Sequence, residues 1–535
     1  MKLANKLCFM AIATLATSLM DAQSTPVRID TGLLQGATQG AVESFKGVSF
    51  AAPPIGELRW RAPQPVKPWT GARKATEYSS DCMQVPFPSD AAPLGTTPAE
   101  DCLYLNVWRP AGTPANAKLP IMFWIYGGGF VNGGSSPAVY AGDKFAEKGV
   151  ILISANYRVG RFGFFGFREL TRQNADGMVG NYGFMDQIAA LKWIQRNGAA
   201  FGGDPSNVTV FGESAGGFSV SMLLTSPLTG GLFSKAIIES GGGRTNLGGQ
   251  RFLSTALPNG VPSAESVGEI FAKSVGVNGT DKAALDTLRR MPAEKILAGL
   301  NMATMSKPGY SGPMIDGRVV VADPASVYLS GAGWKVPIII GANSMDIGFA
   351  FAKDKDAVFA PYGVYRAQAM AAYDPTGSGD LRAVQYSAAM DRFMIEPARF
   401  VASVYASAGV PSYEYRFSYV AESMRKEWPG APHATEIPYV FDTVKAKYAD
   451  KLAPGDERTA QQMLSYWVAF AKTGDPSTGN ATAWPRYDPA TDMLLDFTPT
   501  GPVAEADPWK ARLDVTANAV SSMPPPPPPK AETGP

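Results

Sequence analysis

Phe211-Gly212-Glu213-Ser214-Ala215-Gly216-Gly217 follows the apolar run 208–211 and opens the stretch 219–224. A short apolar run of that kind reads as a buried strand, and the stretch beyond it as the start of a helix. Glycines two residues either side of Ser214 let the backbone turn sharply in a strained conformation, lifting the hydroxyl above the edge of a sheet. The N-terminus of the following helix favours negative charge at that point. Strand, serine-bearing turn, helix is a nucleophile elbow, and it makes Ser214 the candidate nucleophile. A bare G-x-S-x-G also occurs in ordinary tight turns, so the flanking elements carry the weight.

Working outward, apolar runs at 103–107, 121–125, 150–154, 208–211, 236–238, 336–340 and 412–417 read as strands of one buried sheet. Between the third and fourth, Ile188, Leu191 and Ile194 recur at three-residue steps over 186–196, a helix. Strand, helix, strand is the signature of a parallel sheet. The expected architecture is the α/β-hydrolase fold, a large, mostly parallel central sheet with helices on both faces. Gly/Pro-punctuated short runs at 32–68 predict a small N-terminal antiparallel sheet, and the helical stretches 257–308 and 349–412 predict capping insertions. Although 535 residues exceed the usual length of one domain, this spacing predicts a single α/β-hydrolase domain over 24–516. Six consecutive prolines in the segment 522–535 predict an extended, disordered tail.

A serine hydroxyl is a poor nucleophile without a base held in one tautomer by a carboxylate. The chain has one histidine, His433, in a Pro/Gly/Ala loop after the last of these strands. That is the order serine, acid, histidine expected of this fold. The acid belongs after a strand between them, and Asp346, five residues beyond Gly341, fits best. Asp316, before Gly317, reads as a turn former and Glu436 as a partner near the histidine, and both stay as rivals. Tyr126-Gly127-Gly128-Gly129-Phe130 ends the second buried strand, where backbone N–H groups can approach a developing oxyanion. Gly128, Gly129 and Ala215 are the candidate donors. A single histidine argues against a histidine-rich metal site, and the chemistry calls for no cofactor.

The composition, 45% hydrophobic and 18% charged with a formal charge of +1, is that of a globular protein. Near neutrality gives no field to attract nucleic acid or an anionic membrane, and no oligomeric state is implied. Residues 1–22 read as a signal peptide: Lys2 and Lys6, an apolar stretch at 7–20, then a cleavage point near Ala22-Gln23. The apolar stretch is short for a membrane span, though a retained anchor is the alternative. Secretion or a periplasmic location follows from the signal. Cleavage removes Cys8, and Cys82 with Cys102 in an oxidising compartment suggest one disulfide, two unpaired thiols being the alternative.

Five segments in order resemble the type-B carboxylesterases, the group that includes cholinesterases and bacterial para-nitrobenzyl esterases. They are EDCLYLNVW at 100–108, WIYGGGF at 124–130, NYRVGRFG at 156–163, GNYGFMDQ at 180–187 and FGGDPSNVTVFGESAGG at 201–217. The resemblance covers nearly the whole mature chain. It implies that Ser214, Asp346 and His433 form the triad, that Gly128, Gly129 and Ala215 are the oxyanion donors, and that Cys82 pairs with Cys102. It also implies Glu213 as a buried supporting carboxylate and internal ion pairs Arg59–Glu100 and Arg158–Asp186. Three departures stand out. Asp346 occupies a position that often holds Glu, Ala434 one where many members have Gly, and Arg161 one that is often small or apolar. Arg161, with Arg244 after Gly241-Gly242-Gly243, is a candidate for favouring anionic esters, solvated surface arginines being the alternative.

The expected reaction is hydrolysis of a small-molecule ester by acyl transfer through Ser214, with activity rising through roughly pH 6 to 7 as the imidazole becomes neutral. The rivals are an inactive cholinesterase-like binding or adhesion module, which would lack the serine or histidine, and amide or lactone hydrolysis on the same site.

Overall fold

The computed structural model describes residues 22–87, 92–244, 251–348, 351–479 and 481–522. Residues 1–21, most of the expected signal peptide, and 523–535, which hold the prolines, lie outside them.

The centre is a twelve-stranded sheet. Seven neighbouring strands run parallel, in the spatial order Ile151–Ala155, Leu119–Ile125, Gly203–Glu213, Lys235–Glu239, Ile338–Asn343, Ser412–Phe417 and Met493–Thr498. Strands such as Ile151–Ala155 and Ile338–Asn343 are buried at every residue, which is why their sequences run apolar without alternation. Helix Ala215–Thr225 packs on Gly203–Glu213 and Lys235–Glu239, and helix Glu396–Ser407 on the next two strands. The strand and helix expectations from hydrophobic pattern hold, with ends shifted by a few residues. Gly203–Glu213 begins five residues before the apolar run, because Gly203 already pairs with Leu119 across an irregularity.

The N-terminal region differs in extent from the expectation. A hairpin, Val27–Ile29 with Gly32–Gln35, is completed by Ala72–Lys74 in parallel as a separate three-stranded sheet. Ala37–Gln39 and Val42–Ser49 instead extend the main sheet, because the apolar strand Tyr104–Pro110 has an edge that Val42–Ser49 covers by antiparallel pairing. Ala22–Gln23, at the expected cleavage point, is a short strand on that margin. At the opposite margin lie two strands absent from the expected runs, Met493–Thr498 and its antiparallel partner Gly501–Ala506. Its Gly501 and Pro502 are poor strand formers, tolerated because the strand is an edge.

The insertions are helical as expected. Ser263, Asp281, Asp354 and Asp380 each cap a helix N-terminus there with a side-chain oxygen. Leu381–Met390 runs through a π turn at Asp391–Ile395 into Glu396–Ser407. Cys82 and Cys102 are disulfide-bonded. Among the described residues no helix is long and apolar enough to cross a membrane, and no group of three or more His, Cys, Asp or Glu side chains could hold a metal ion.

Candidate active site

Ser214 stands between strand Gly203–Glu213 and helix Ala215–Thr225 with φ 55° and ψ −122°, a conformation that L-residues rarely adopt. The turn is held by the Ser214 N–H donating to the Glu239 carbonyl at 2.9 Å. Its flanking glycines are required by contact. A Cβ on Gly216 would sit 2.0 Å from the Ile125 carbonyl oxygen, and one on Gly212 would lie 2.7 Å from the Gly216 backbone.

Two loops at the ends of parallel strands complete the arrangement. Asp346 follows Ile338–Asn343, and His433 lies beyond Ser412–Phe417, in a loop tied to the first by a bridge between Met345 and Pro432. His433 Nε2 is 2.9 Å from Ser214 Oγ, and Nδ1 is 2.6 Å from Asp346 Oδ1. Asp346 is fully buried and meets donors on both oxygens. Oδ1 also accepts from the Ile347 N–H at 2.8 Å, while Oδ2 accepts from Ser240 Oγ at 2.6 Å and the Asn343 N–H at 3.0 Å.

Burial alone would push the Asp346 carboxyl upward, but the His433 charge and these hydrogen bonds hold it below the usual carboxylate range. Burial also favours the neutral imidazole. The charge and hydrogen bond of Asp346, with the charge of Glu436, outweigh it and raise the His433 pKa above its ordinary value. Glu213 Oε1 is 3.2 Å from His433 Nε2. Gly128 and Gly129 take φ of 103° and 63°, and a Cβ on Gly128 would fall 2.4 Å from the Asn132 carbonyl oxygen. Among the described residues no acceptor pairs with the N–H of Gly128, Gly129 or Ala215. Met302 and Met305 lie against Gly129, and the Met302 N–H donates to Asn132 Oδ1 at 3.0 Å.

The rival acids are engaged elsewhere. Asp316 Oδ1 accepts from the N–H groups of Arg318, Val319 and Val320, the turn-forming role expected of it. Glu436 Oε2 accepts from Asn343 Nδ2 at 2.5 Å, and burial, reinforced by Glu239 and Asp346, pushes its pKa up to about 8. The expected scaffold pairs are present: Arg59 Nε to Glu100 at 2.8 Å, and Arg158 Nη2 to Asp186 at 2.8 Å.

Two expectations are corrected. Arg161 is 6% exposed, and its guanidinium is committed to three backbone carbonyls, those of Gly309 (2.7 Å), Leu297 (2.6 Å) and Ile296 (3.1 Å). It also lies 4.4 Å over the Phe271 ring, and burial lowers its pKa to about 10. The carbonyl bonds tie its Nε and Nη1 to the two ends of the 298–308 segment, so the buried guanidinium serves the fold. Arg244 pairs with the buried Glu396 and stacks 4.1 Å over Phe400, so it too is structural. Sequence reasoning passed over Ser240. It directly follows strand Lys235–Glu239 in the same Gly-rich run as Arg244, and that position at a strand end was the available signal.

A family model described as the carboxylesterase family matches residues 23–514. The fumonisin B1 esterase of Sphingopyxis macrogoltabida is 32% identical over 483 residues, 87% of this chain and 85% of that protein. The para-nitrobenzyl esterase of Bacillus subtilis (strain 168) is 34% identical over 489 residues, 87% and 93% of the two chains. A solved structure of a PNB esterase superposes with a TM-score of 0.78 at 30% identity, over 92% of this chain and 99% of that one. On a match spanning nearly all the described residues, the chain belongs to the carboxylesterase family and is a carboxylesterase.

Proposed function

We propose that the chain hydrolyses small carboxylic esters through a Ser214–His433–Asp346 triad and an acyl-enzyme intermediate. Ser214 Oγ attacks the ester carbonyl while His433 Nε2 takes its proton, and the imidazolium then delivers that proton to the departing alcohol. Water, deprotonated by the same nitrogen, releases the acid and restores the serine. Asp346 keeps Nδ1–H oriented and balances the charge that His433 acquires, which agrees with the raised histidine and lowered aspartate pKa values. Gly128, Gly129 and Ala215 are the proposed oxyanion donors, each contributing about 3 kcal/mol of transition-state stabilisation. Glu213 adds negative charge beside the imidazolium. No cofactor enters these steps. Export to the periplasm or medium belongs to the same reading, with the Cys82–Cys102 disulfide in its favour.

The observation that carries the proposal is the unbroken contact from Ser214 through the sole histidine to a buried carboxylate, at 2.9 and 2.6 Å. Hydrolysis of para-nitrophenyl acetate tests it. The wild-type chain should show a burst of nitrophenol followed by turnover, and Ser214→Ala should lose both. Turnover by Ser214→Ala at a wild-type rate would overturn the proposal.

A further inference from the structure

We infer that a cavity bordered by the Asp346 and His433 loops, but lined by neither Ser214 nor His433, is a second ligand site, which takes a small aromatic carboxylate. Its volume of about 600 Å³ lies in the range of sites that hold small organic molecules. Its walls come from the loop of Ser344 and Met345, from Pro429 and Gly430, from helix Leu381–Met390, and from Trp509 with Arg512.

The charge on this wall is of one sign, since two arginines and no Asp or Glu line the cavity. Arg512 is neutralised by the buried Asp391, 2.9 Å from its Nε, and lies 4.4 Å over the Trp509 ring. Trp509 also carries Arg416, 4.0 Å from its ring centroid, and Arg416 in turn pairs with Asp507. Arg382 is different. It is exposed, and among the described residues no carboxylate pairs with it. The neighbouring Asp380 is occupied as the helix cap, accepting from the N–H groups of Arg382 and Ala383 at 2.9 and 3.1 Å. An uncompensated guanidinium at the mouth of a cavity presents the planar donor fork that suits a carboxylate. Behind it, Tyr386, Met345 and Met390 line the cavity with apolar, polarisable groups that suit an aromatic ring, while the Trp509 ring is occupied by its arginines.

One feature ties the cavity to the triad, and a second marks its wall. The Tyr386 hydroxyl donates to the carbonyls of Met345 and Asp346, at 3.1 and 2.6 Å. Met390 directly precedes the π turn Asp391–Ile395, an irregularity that recurs at functional sites. A ligand seated here touches the tyrosine that holds the backbone of the triad acid.

Calorimetric titration of the full chain with 2-naphthoate, with 2-naphthamide as the uncharged control, tests the inference. One naphthoate should bind per chain, and the amide should bind about tenfold more weakly or worse. Arg382→Glu reverses the charge, and Ala383→Trp fills the cavity from an exposed helical position. Each should weaken naphthoate by at least about tenfold while leaving the circular dichroism spectrum unchanged. No binding at millimolar naphthoate, equal binding of the amide, or an affinity that survives both substitutions would overturn it. The last result would place the aromatic acid elsewhere on the chain.

Discussion

Replacing Asp346 by asparagine keeps the shape of the side chain and removes its charge. All four groups that meet the carboxylate are donors: His433 Nδ1, the Ile347 N–H, Ser240 Oγ and the Asn343 N–H. An amide offers one acceptor oxygen, so whichever way it is turned, its NH2 faces a backbone N–H. With the oxygen toward His433 the ring stays anchored, because Ser240 can rotate to accept. What disappears is the attraction between an imidazolium and a carboxylate that approach to 2.6 Å. For charge centres about 4 Å apart at an effective dielectric constant of about 20, this amounts to about 4 kcal/mol. If that attraction develops mainly in the transition state, kcat for para-nitrophenyl acetate falls by about 10³, and by more if the ring adopts the wrong tautomer. The pH profile supplies a second readout. Activity requires neutral imidazole, so it is lost as pH falls through the raised His433 pKa, and the wild-type acid limb should lie above the ordinary 6.5. In Asp346→Asn the charge that does most to raise that pKa is gone, and the residual activity should persist to lower pH. A folded variant with kcat within about tenfold of wild type and an unmoved acid limb would refute this account of Asp346.

Arg161→Met should leave the preference between neutral and carboxylate-bearing esters unchanged, and should lower stability by about 2–4 kcal/mol in calorimetry because three buried carbonyls lose their donor. Cys82→Ser with Cys102→Ser opens a loop with a sequence separation of 20 and should cost about 3 kcal/mol in denaturant unfolding. Glu436 should contribute a slope to stability against pH. The unfolded chain loses this proton near 4.5 and the folded chain retains it to about 8, so stability falls as pH rises between those values. Glu436→Gln mimics the protonated form and should flatten that slope in melting curves taken from pH 4.5 to 8.

Local regularity made the fold and the nucleophile legible. Uninterrupted apolar runs such as 151–155 are what a strand buried on both faces requires, and glycines at 212 and 216 are what a backbone pressed against Ile125 requires. The candidacy of His433 followed from its being the sole imidazole and from its place in chain order. The edge strand Gly501–Ala506 escaped notice because its existence depends on a neighbour, Met493–Thr498, and not on its own residues.

The choice among acids and the fate of the arginines belonged to the tertiary structure. Nothing in the vicinity of Asp316, Asp346 or Glu436 in the chain says which carboxylate an imidazole 87 residues from Asp346 will meet, and only the parallel pairing of Ile338–Asn343 with Ser412–Phe417 brings those loops together. Arg161 reads as an available cation until the carbonyls of 296, 297 and 309 close around it. Charge and residue type are properties of the chain, whereas whether a charge is spent on its own backbone or left for a ligand depends on which distant segments fold against it.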